Sequence, residues 1–287
     1  MAVFFWSTVA SAFKITLRHI NPAQMLFLSS FFSLVALTAI LAIQGKLREI
    51  KNSTSVEIRN SAVLGFINPF LYYLILFKAY SLLPAQQAQP LNFTWGIVIA
   101  LLSIPILKQK VHARHIAAVF VSFFGVVIIA TQGNVSNFRF NEPLGVFLAV
   151  GSSLLWSFYW IYNAKDARDP VIKLFLNFCF GFPFTALYLF LSGDLIAPPV
   201  EGIIGSIYIG FFEMGITFVF WLKALELAPA AAKVSILIYL SPFLSFLFIH
   251  LFVGEKILAS SFVGLLFITG GILWQQSENI FKRRKEK

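Results

Sequence analysis

KAYSLLPA at residues 78–85 returns as KALELAPA at residues 223–230, with Lys78, Ala79, Leu82, Pro84 and Ala85 repeated as Lys223, Ala224, Leu227, Pro229 and Ala230. Locally the phrase reads as a tight turn between two helices. Pro84 and Pro229 suit the first turn of an outgoing helix, where a missing N–H costs nothing. Lys78 and Lys223 fall near the ends of incoming helices, where a cation meets the negative end of the dipole and can snorkel outward. The likeness runs beyond the turn, because residues 65–85 and 210–230 share seven of 21 positions, Gly65–Phe66 against Gly210–Phe211 among them. Composition alone would give about two. Trp6–Ser7 against Trp156–Ser157, and Gly125 against Gly271, extend the match at slightly different offsets. The chain reads as a unit written twice.

Of its 287 residues 59% are hydrophobic and 12% charged, whereas soluble domains carry about 25% charged residues. Apolar runs of near-spanning length recur throughout, each able to cross roughly 30 Å of hydrocarbon as a helix. Ten are expected, near 2–18, 25–44, 62–82, 85–106, 114–131, 143–163, 171–191, 202–224, 229–252 and 259–276. The connections are short, as in antiparallel helix hairpins. The expected fold is an all-α integral membrane protein with ten transmembrane helices in two five-helix repeats, 1–131 and 143–276, followed by a basic tail at 277–287.

Five is odd, so the second copy should lie inverted in the bilayer. Loop charges agree with that. The loop 45–60 carries four Lys/Arg and its repeat partner 192–201 none; 108–114 carries three against one in 254–260; 131–142 carries one against five in the tail. Cytoplasmic loops are the basic ones, which places both termini in the cytoplasm, with 15 Lys/Arg inside and Arg18, Arg139 and Lys256 outside. Thirteen residues of the sixth span precede Trp156 but five precede Trp6, so the first span is expected to extend upstream of Met1 by about two turns. The net charge of +10 sits mostly in loops and tail, which points to membrane topology and not to nucleic acid. A single cysteine, Cys179, excludes an internal disulfide, and no cleavable signal peptide is visible.

Several motifs resemble the drug/metabolite transporter superfamily, in its EamA-like branch of two five-helix repeats. They are Trp6–Ser7 with Lys14, Asn92-Phe93-Thr94-Trp95, the stretch GFFEMGITFVFWLKAL at 210–225, and Gly254–Glu255. The Asn92 segment is similar to an Asn-Tyr-x-Trp-Pro signature of amino-acid exporters, with Phe93 in place of Tyr and Gly96 in place of Pro. Lys108-Gln109-Lys110 departs from the Gly-Glu element expected after the fourth span. The resemblance implies a secondary transporter whose central cavity is lined by spans 1, 3, 4, 6, 8 and 9. Inverted repeats independently place a substrate site near mid-membrane at the repeat interface.

Polar residues inside spans mark candidate sites, because burying them in hydrocarbon is costly. Glu213 falls at the centre of the eighth span, and its repeat partner is Asn68; Thr217 and Tyr72 lie one turn beyond each. The two stripes are expected to face one another across the cavity. Glu213 would bind a cationic group of the substrate or a coupling proton; the alternatives are an ion pair with a lysine such as Lys14, or a protonated carboxyl bonded to backbone. Ser7, Ser11, Lys14 and Arg18 share one face of the first span, and Lys14 would meet a carboxylate or coupling anion or else snorkel. Gln86, Gln89 and Asn92 recur every three residues, suited to binding a polar solute or to gluing helices. Trp95, Trp156, Trp160 and Tyr239 are candidates for an aromatic lining, against the alternative of packing or interface anchors. Pro69, beside Asn68, is the proline expected to act in gating.

His112 and His115 lack acidic or cysteine neighbours for a metal, so no metal or other cofactor is expected. Nucleotide-binding and hydrolase motifs are absent from the sequence. The partners expected are a small-molecule substrate and the lipid bilayer of the cell membrane, with a homodimer open. Export of an amino acid or related metabolite is the leading reading; a membrane enzyme or a non-transporting scaffold are the alternatives.

Overall fold

The computed structural model describes residues 1–107, 113–134, 142–227 and 237–285, and every regular element among them is helical. Lys108–Lys110, His112, Arg139, Pro229 and Lys233, singled out in the sequence, lie outside the described residues.

The chain opens with α1 (Ala2–Thr16) and α2 (Pro22–Ile43). Asn21 and Gln24 form a capping box at the start of α2, with Pro22 in the first turn where its missing N–H is harmless. A short 3₁₀ turn, Leu47–Asn52, leads to α3 (Ser55–Gly65), a wide turn at Phe66–Leu71, and α4 (Tyr72–Leu82). The helix thus starts before the expected residue 62. Thr54 and Glu57 make a second capping box, and those first turns are polar enough to stand outside hydrocarbon. The fourth expected span is split as well, into α5 (Ala85–Asn92) and α6 (Trp95–Leu107), with the Thr94 hydroxyl donating to the Leu91 carbonyl at the break.

Next come α7 (Ala113–Ala130), α8 (Pro143–Ala164) and α9 (Pro170–Ser192). Then α10 (Val200–Phe212) and α11 (Ile216–Leu227) are interrupted at Glu213, and α12 (Ser241–Phe248) follows a 3₁₀ turn at Leu237–Leu240. The last helix, α13 (Ala259–Lys285), runs on through most of the segment expected to be a separate tail.

Among the described residues, five helical stretches of 22 to 28 residues are long and apolar enough to cross a bilayer. The distribution of residues is that of a protein solvated by lipid. Phe120, Phe147 and Phe190 point outward, 69%, 73% and 65% exposed, while Ser29, Ser30, Ser33, Ser152 and Ser157 are buried between helices. Small residues let helix backbones approach where lipid provides no hydrophobic drive for association.

Helices of the two halves pack mainly on each other. Helix α2 lies on α10 and α9, α3 on α9, α4 and α6 on α8, α1 on α12 and α10, and α7 on α13. Gly65 and Gly210, identical in the repeat, occupy matching contacts. A Cβ on Gly65 would strike the Asn177 carbonyl of α9, and one on Gly210 the Ser29 carbonyl of α2. The shared glycine of the two copies is therefore a close backbone approach. Gly125 and Gly264 do the same between α7 and α13, each blocking a Cβ on the other with its carbonyl oxygen.

Candidate functional site

A cavity of about 590 Å³ lies between the halves, within the range of small-molecule sites. It is reached by α1, α4, α5, α6, α8, α11 and the Leu237–Leu240 turn, with Glu213 at the break before α11. Its walls are aromatic. Tyr72 stacks on Trp156 with ring centroids 4.5 Å apart, and Trp156 meets Trp160 edge to face at 5.8 Å. Trp6 packs on Trp221 at 5.4 Å, and Phe93 meets Trp95 and Tyr239.

Polar groups are few and mostly fixed. The Tyr73 hydroxyl donates to Glu213 Oε1 at 3.0 Å, a bond that joins the first half to the second inside the core. Glu213 lines the cavity and, among the described residues, forms no ion pair. Asn92 Nδ2 donates to Ser152 Oγ at 2.8 Å, while Asn92 Oδ1 accepts from the Tyr72 hydroxyl at 3.4 Å. Gln89 Oε1 is buried in the wall with no hydrogen-bond partner.

Of the residues anticipated from sequence, Glu213, Tyr72, Gln89, Asn92, Trp156 and Tyr239 share this cavity, as do Trp95 and Trp160. Asn68 does not reach it. The wide turn at Phe66–Leu71 swings that residue against α9, 1% exposed, with Tyr159 of α8 as its polar neighbour. Thr217 is buried and its hydroxyl donates to the Phe212 carbonyl at 2.5 Å, bracing the break beside Glu213. Ser7 bonds back to the Val3 carbonyl, and Ser11 is buried outside the lining. Lys78 and Lys223 are exposed, in keeping with snorkelling.

Lys14 has a structural position. Its ammonium donates to the carbonyls of Tyr80 and Leu83 at 2.8 and 2.6 Å, at the C-terminus of α4. Across the same turn the Glu255 carboxylate accepts from the amides of Ala85 and Gln86 at 2.8 and 3.1 Å, at the N-terminus of α5. The Gln86 side chain bonds the Lys256 carbonyl, the Leu258 amide and the Ser261 hydroxyl. One end of the bundle is thus tied shut around the Pro84 turn. Toward the other end the lining continues through Trp221, Ala164 and Lys165.

At that other end sits a second polar cluster. Arg168 holds Asp166 through Nε and Nη2 and also donates to Ser61 Oγ at 2.8 Å, and Lys46 pairs with Asp169. Burial pushes the Asp166 carboxyl up, but the Arg168 hydrogen bonds and charge outweigh it and hold it below its ordinary value. For Asp169, burial is likewise outweighed by the Lys46 bond and by two backbone amides.

Tyr73 was not legible in the sequence. Helical spacing from Asn68 singles out Tyr72, but the Tyr72 amide bonds the Ile67 carbonyl five residues back. That wide turn moves the register by one and hands the Glu213 contact to Tyr73.

A lipid-solvated helical protein with a cavity between two halves, an aromatic wall and, among the described residues, one buried acid is built as a membrane carrier. The sequence profile of the EamA-like transporter family matches residues 1–131 and 143–275. The chain belongs to that family, and is a multi-pass membrane transporter and not an enzyme. It is similar to an uncharacterized transporter of Archaeoglobus fulgidus, 25% identical over 89% of this chain and 88% of the other. It also resembles the aromatic amino acid exporter YddG of Ancylobacter novellus, at 24% over 77% and 75% of the two chains. A solved crystal structure superposes on all of this chain and 96% of its own, with a TM-score of 0.68 at 21% identity, a likeness of fold.

Proposed function

We propose that this transporter is a secondary exporter of a small polar or amphipathic metabolite, an amino acid or related compound, working by alternating access in the cell membrane. The observation that carries the reading is Glu213, a buried acid at a cavity between the halves, joined by hydrogen bond to one tyrosine and by ion pair to nothing among the described residues. An unpaired acid in a membrane interior is expensive and is kept for binding or coupling.

The halves are read as inverted five-helix repeats forming ten spans, with both termini cytoplasmic. Two features support this. Each half matches the family profile separately. Contacts between halves also come in repeat-related pairs: α2–α10 with α9–α3, α1–α12 with α8–α6, and α1–α11 with α8–α4. On that reading the Pro84 turn faces outward, and the conformation is closed outside, with the cavity extending inward past Trp221 and Lys165. The loop charges support that orientation.

The test is solute flux in liposomes reconstituted with the purified chain. Glu213→Gln is expected to lower flux by about tenfold or more, the worth of a charge-assisted hydrogen bond, while its elution profile and melting midpoint stay unchanged. Equal flux from the variant would remove Glu213 from the mechanism, and absence of flux for any of a broad solute panel would favour a non-transporting scaffold.

A further inference from the structure

Apart from the central cavity, a groove of about 470 Å³ runs along α2 beside α9. Phe31, Leu34, Val35, Thr38, Ala39 and Ala42 line it, at offsets of three, four, seven, eight and eleven from Phe31, which is one stripe of a helix. Phe182 of α9 closes one end, stacked on Phe27 at 5.2 Å and tilted on Phe31 at 6.2 Å. From there the side chains shrink toward Thr38, Ala39 and Ala42, all exposed. The Thr38 hydroxyl donates to the Leu34 carbonyl, so the stripe asks for no polar partner.

Eleven residues lead from Phe31 to Ala42, about 16 Å along the helix axis. That is about half the thickness of a bilayer's hydrocarbon core. Phe31 stands near the middle of α2, and Ala42 one residue before its end at Ile43. The groove therefore has the reach of one acyl chain in one leaflet, stopped at mid-depth by an aromatic pair.

At its other end α2 and α9 are tied by the Lys46–Asp169 ion pair, Asp169 also capping α9. The chain then enters the 3₁₀ turn Leu47–Asn52, in which side chains three residues apart eclipse. Leu47 and Ile50 share one side, and Ile50 packs on the core. Arg48 and Lys51 share another, exposed and, among the described residues, in no ion pair. Glu49 shares the third with Asn52. Two stacked cations thus follow directly on the open end of an apolar groove. The opposite end of the α2–α9 pair differs: loop 192–201 carries no Lys or Arg, and Arg18 donates to the Val253 carbonyl.

We propose that this groove is a site for one anionic phospholipid, with an acyl chain along α2 and the headgroup phosphate on Arg48 and Lys51. Basic clusters at the polar ends of membrane helices attract anionic headgroups, and the apolar stripe adds contact that a free phosphate cannot use. Because α2 belongs to the first half and Phe182 to the second, the bound lipid bridges the halves outside the transport cavity. On the proposed orientation it lies in the cytoplasmic leaflet. The groove and the cavity share no lining residue, so the lipid site stands whichever solute the cavity carries.

The experiment titrates the purified full-length chain, in neutral detergent, with dioleoylphosphatidylglycerol, dioleoylphosphatidylcholine and inorganic phosphate and follows the melting midpoint, which rises with occupancy. Phosphatidylglycerol is expected to act at concentrations about tenfold below those of phosphatidylcholine, in line with two cations near a membrane surface, and phosphate to have no effect. Arg48→Gln with Lys51→Gln should remove that preference. Lys78→Gln with Lys256→Gln, which removes equal charge at exposed positions elsewhere, should keep it. Ala39→Phe fills the groove and should weaken the phosphatidylglycerol response about threefold; Ala42→Phe is the second filling if Ala39→Phe lowers the midpoint without lipid. Equal action of the two lipids, a preference that survives Arg48→Gln with Lys51→Gln, or a response indifferent to filling would overturn the assignment. A shift produced by phosphate itself would give the cations to a soluble anion and overturn it too.

Discussion

At the Pro84 turn two opposite charges meet two opposite helix ends. Lys14 sits on the last carbonyls of α4, and Glu255 on the first amides of α5. Each contact satisfies groups that a helix terminus leaves open and complements the helix dipole. Removing the ammonium in Lys14→Met strands two carbonyls and is expected to cost about 1–3 kcal/mol, read as a lowered melting midpoint. The bound pair also tells Lys14 apart from Glu213: the lysine is consumed by structure, whereas the acid keeps a face on the cavity. Sequence alone could not make that distinction, since both residues appear only as charges inside apolar runs. Asp166 carries a pH consequence. Its carboxyl is held below its ordinary value, so the charged Asp166–Arg168 pair adds stability above about pH 4, and that stability is lost as pH falls through the depressed value. Asp166→Asn should therefore lower the melting midpoint at neutral pH and flatten its fall on acidification; an unaltered acid profile would contradict the assignment.

Helix positions in this chain were legible because hydrophobic runs and caps are local properties. Asn21 with Gln24, and Thr54 with Glu57, show their capping boxes in the sequence itself. The interruptions were not legible in the same way. Pro69 marks one of them, but the wide turn around it is shaped by α9, where Gly181 admits the Gly65 carbonyl and the proline ring. The break at Glu213 has no proline, and it holds through the Thr217 hydroxyl and close packing on α2. Because such breaks depend on neighbours distant in sequence, spacing placed Asn68 at the cavity when it belongs against α9, and missed Tyr73. The α7–α13 contact makes a sharper case for tertiary control. Gly264→Leu would force a side chain into the Gly125 carbonyl and is expected to destabilise by about 1–3 kcal/mol, whereas the same substitution at Gly270, where a Cβ meets nothing within 4 Å, should leave the melting midpoint nearly unchanged. Equal effects at both positions would contradict the close approach.

Across the whole molecule, the repeated phrase at residues 78–85 and 223–230 and the paired contacts between halves describe one arrangement. On the proposed reading of the halves as inverted repeats, duplicated elements meet across an internal twofold, and the space left between them is the cavity. Its closed end is the Pro84 turn with its Lys14 and Glu255 anchors, and Glu255→Gln is expected to loosen that end. A cysteine replacing Phe13 in a Cys179→Ser background should then react faster with a membrane-impermeant thiol reagent added outside; an unchanged rate would show that Glu255 does not hold the closure. The central claim is that the two halves are inverted in the bilayer. The direct measurement places single cysteines at Lys51 and at Leu195, both exposed, in the same Cys179→Ser background and labels intact cells and inverted vesicles. The account predicts reaction at 195 from outside and at 51 only from the cytoplasmic side; labelling of both from one face would contradict it.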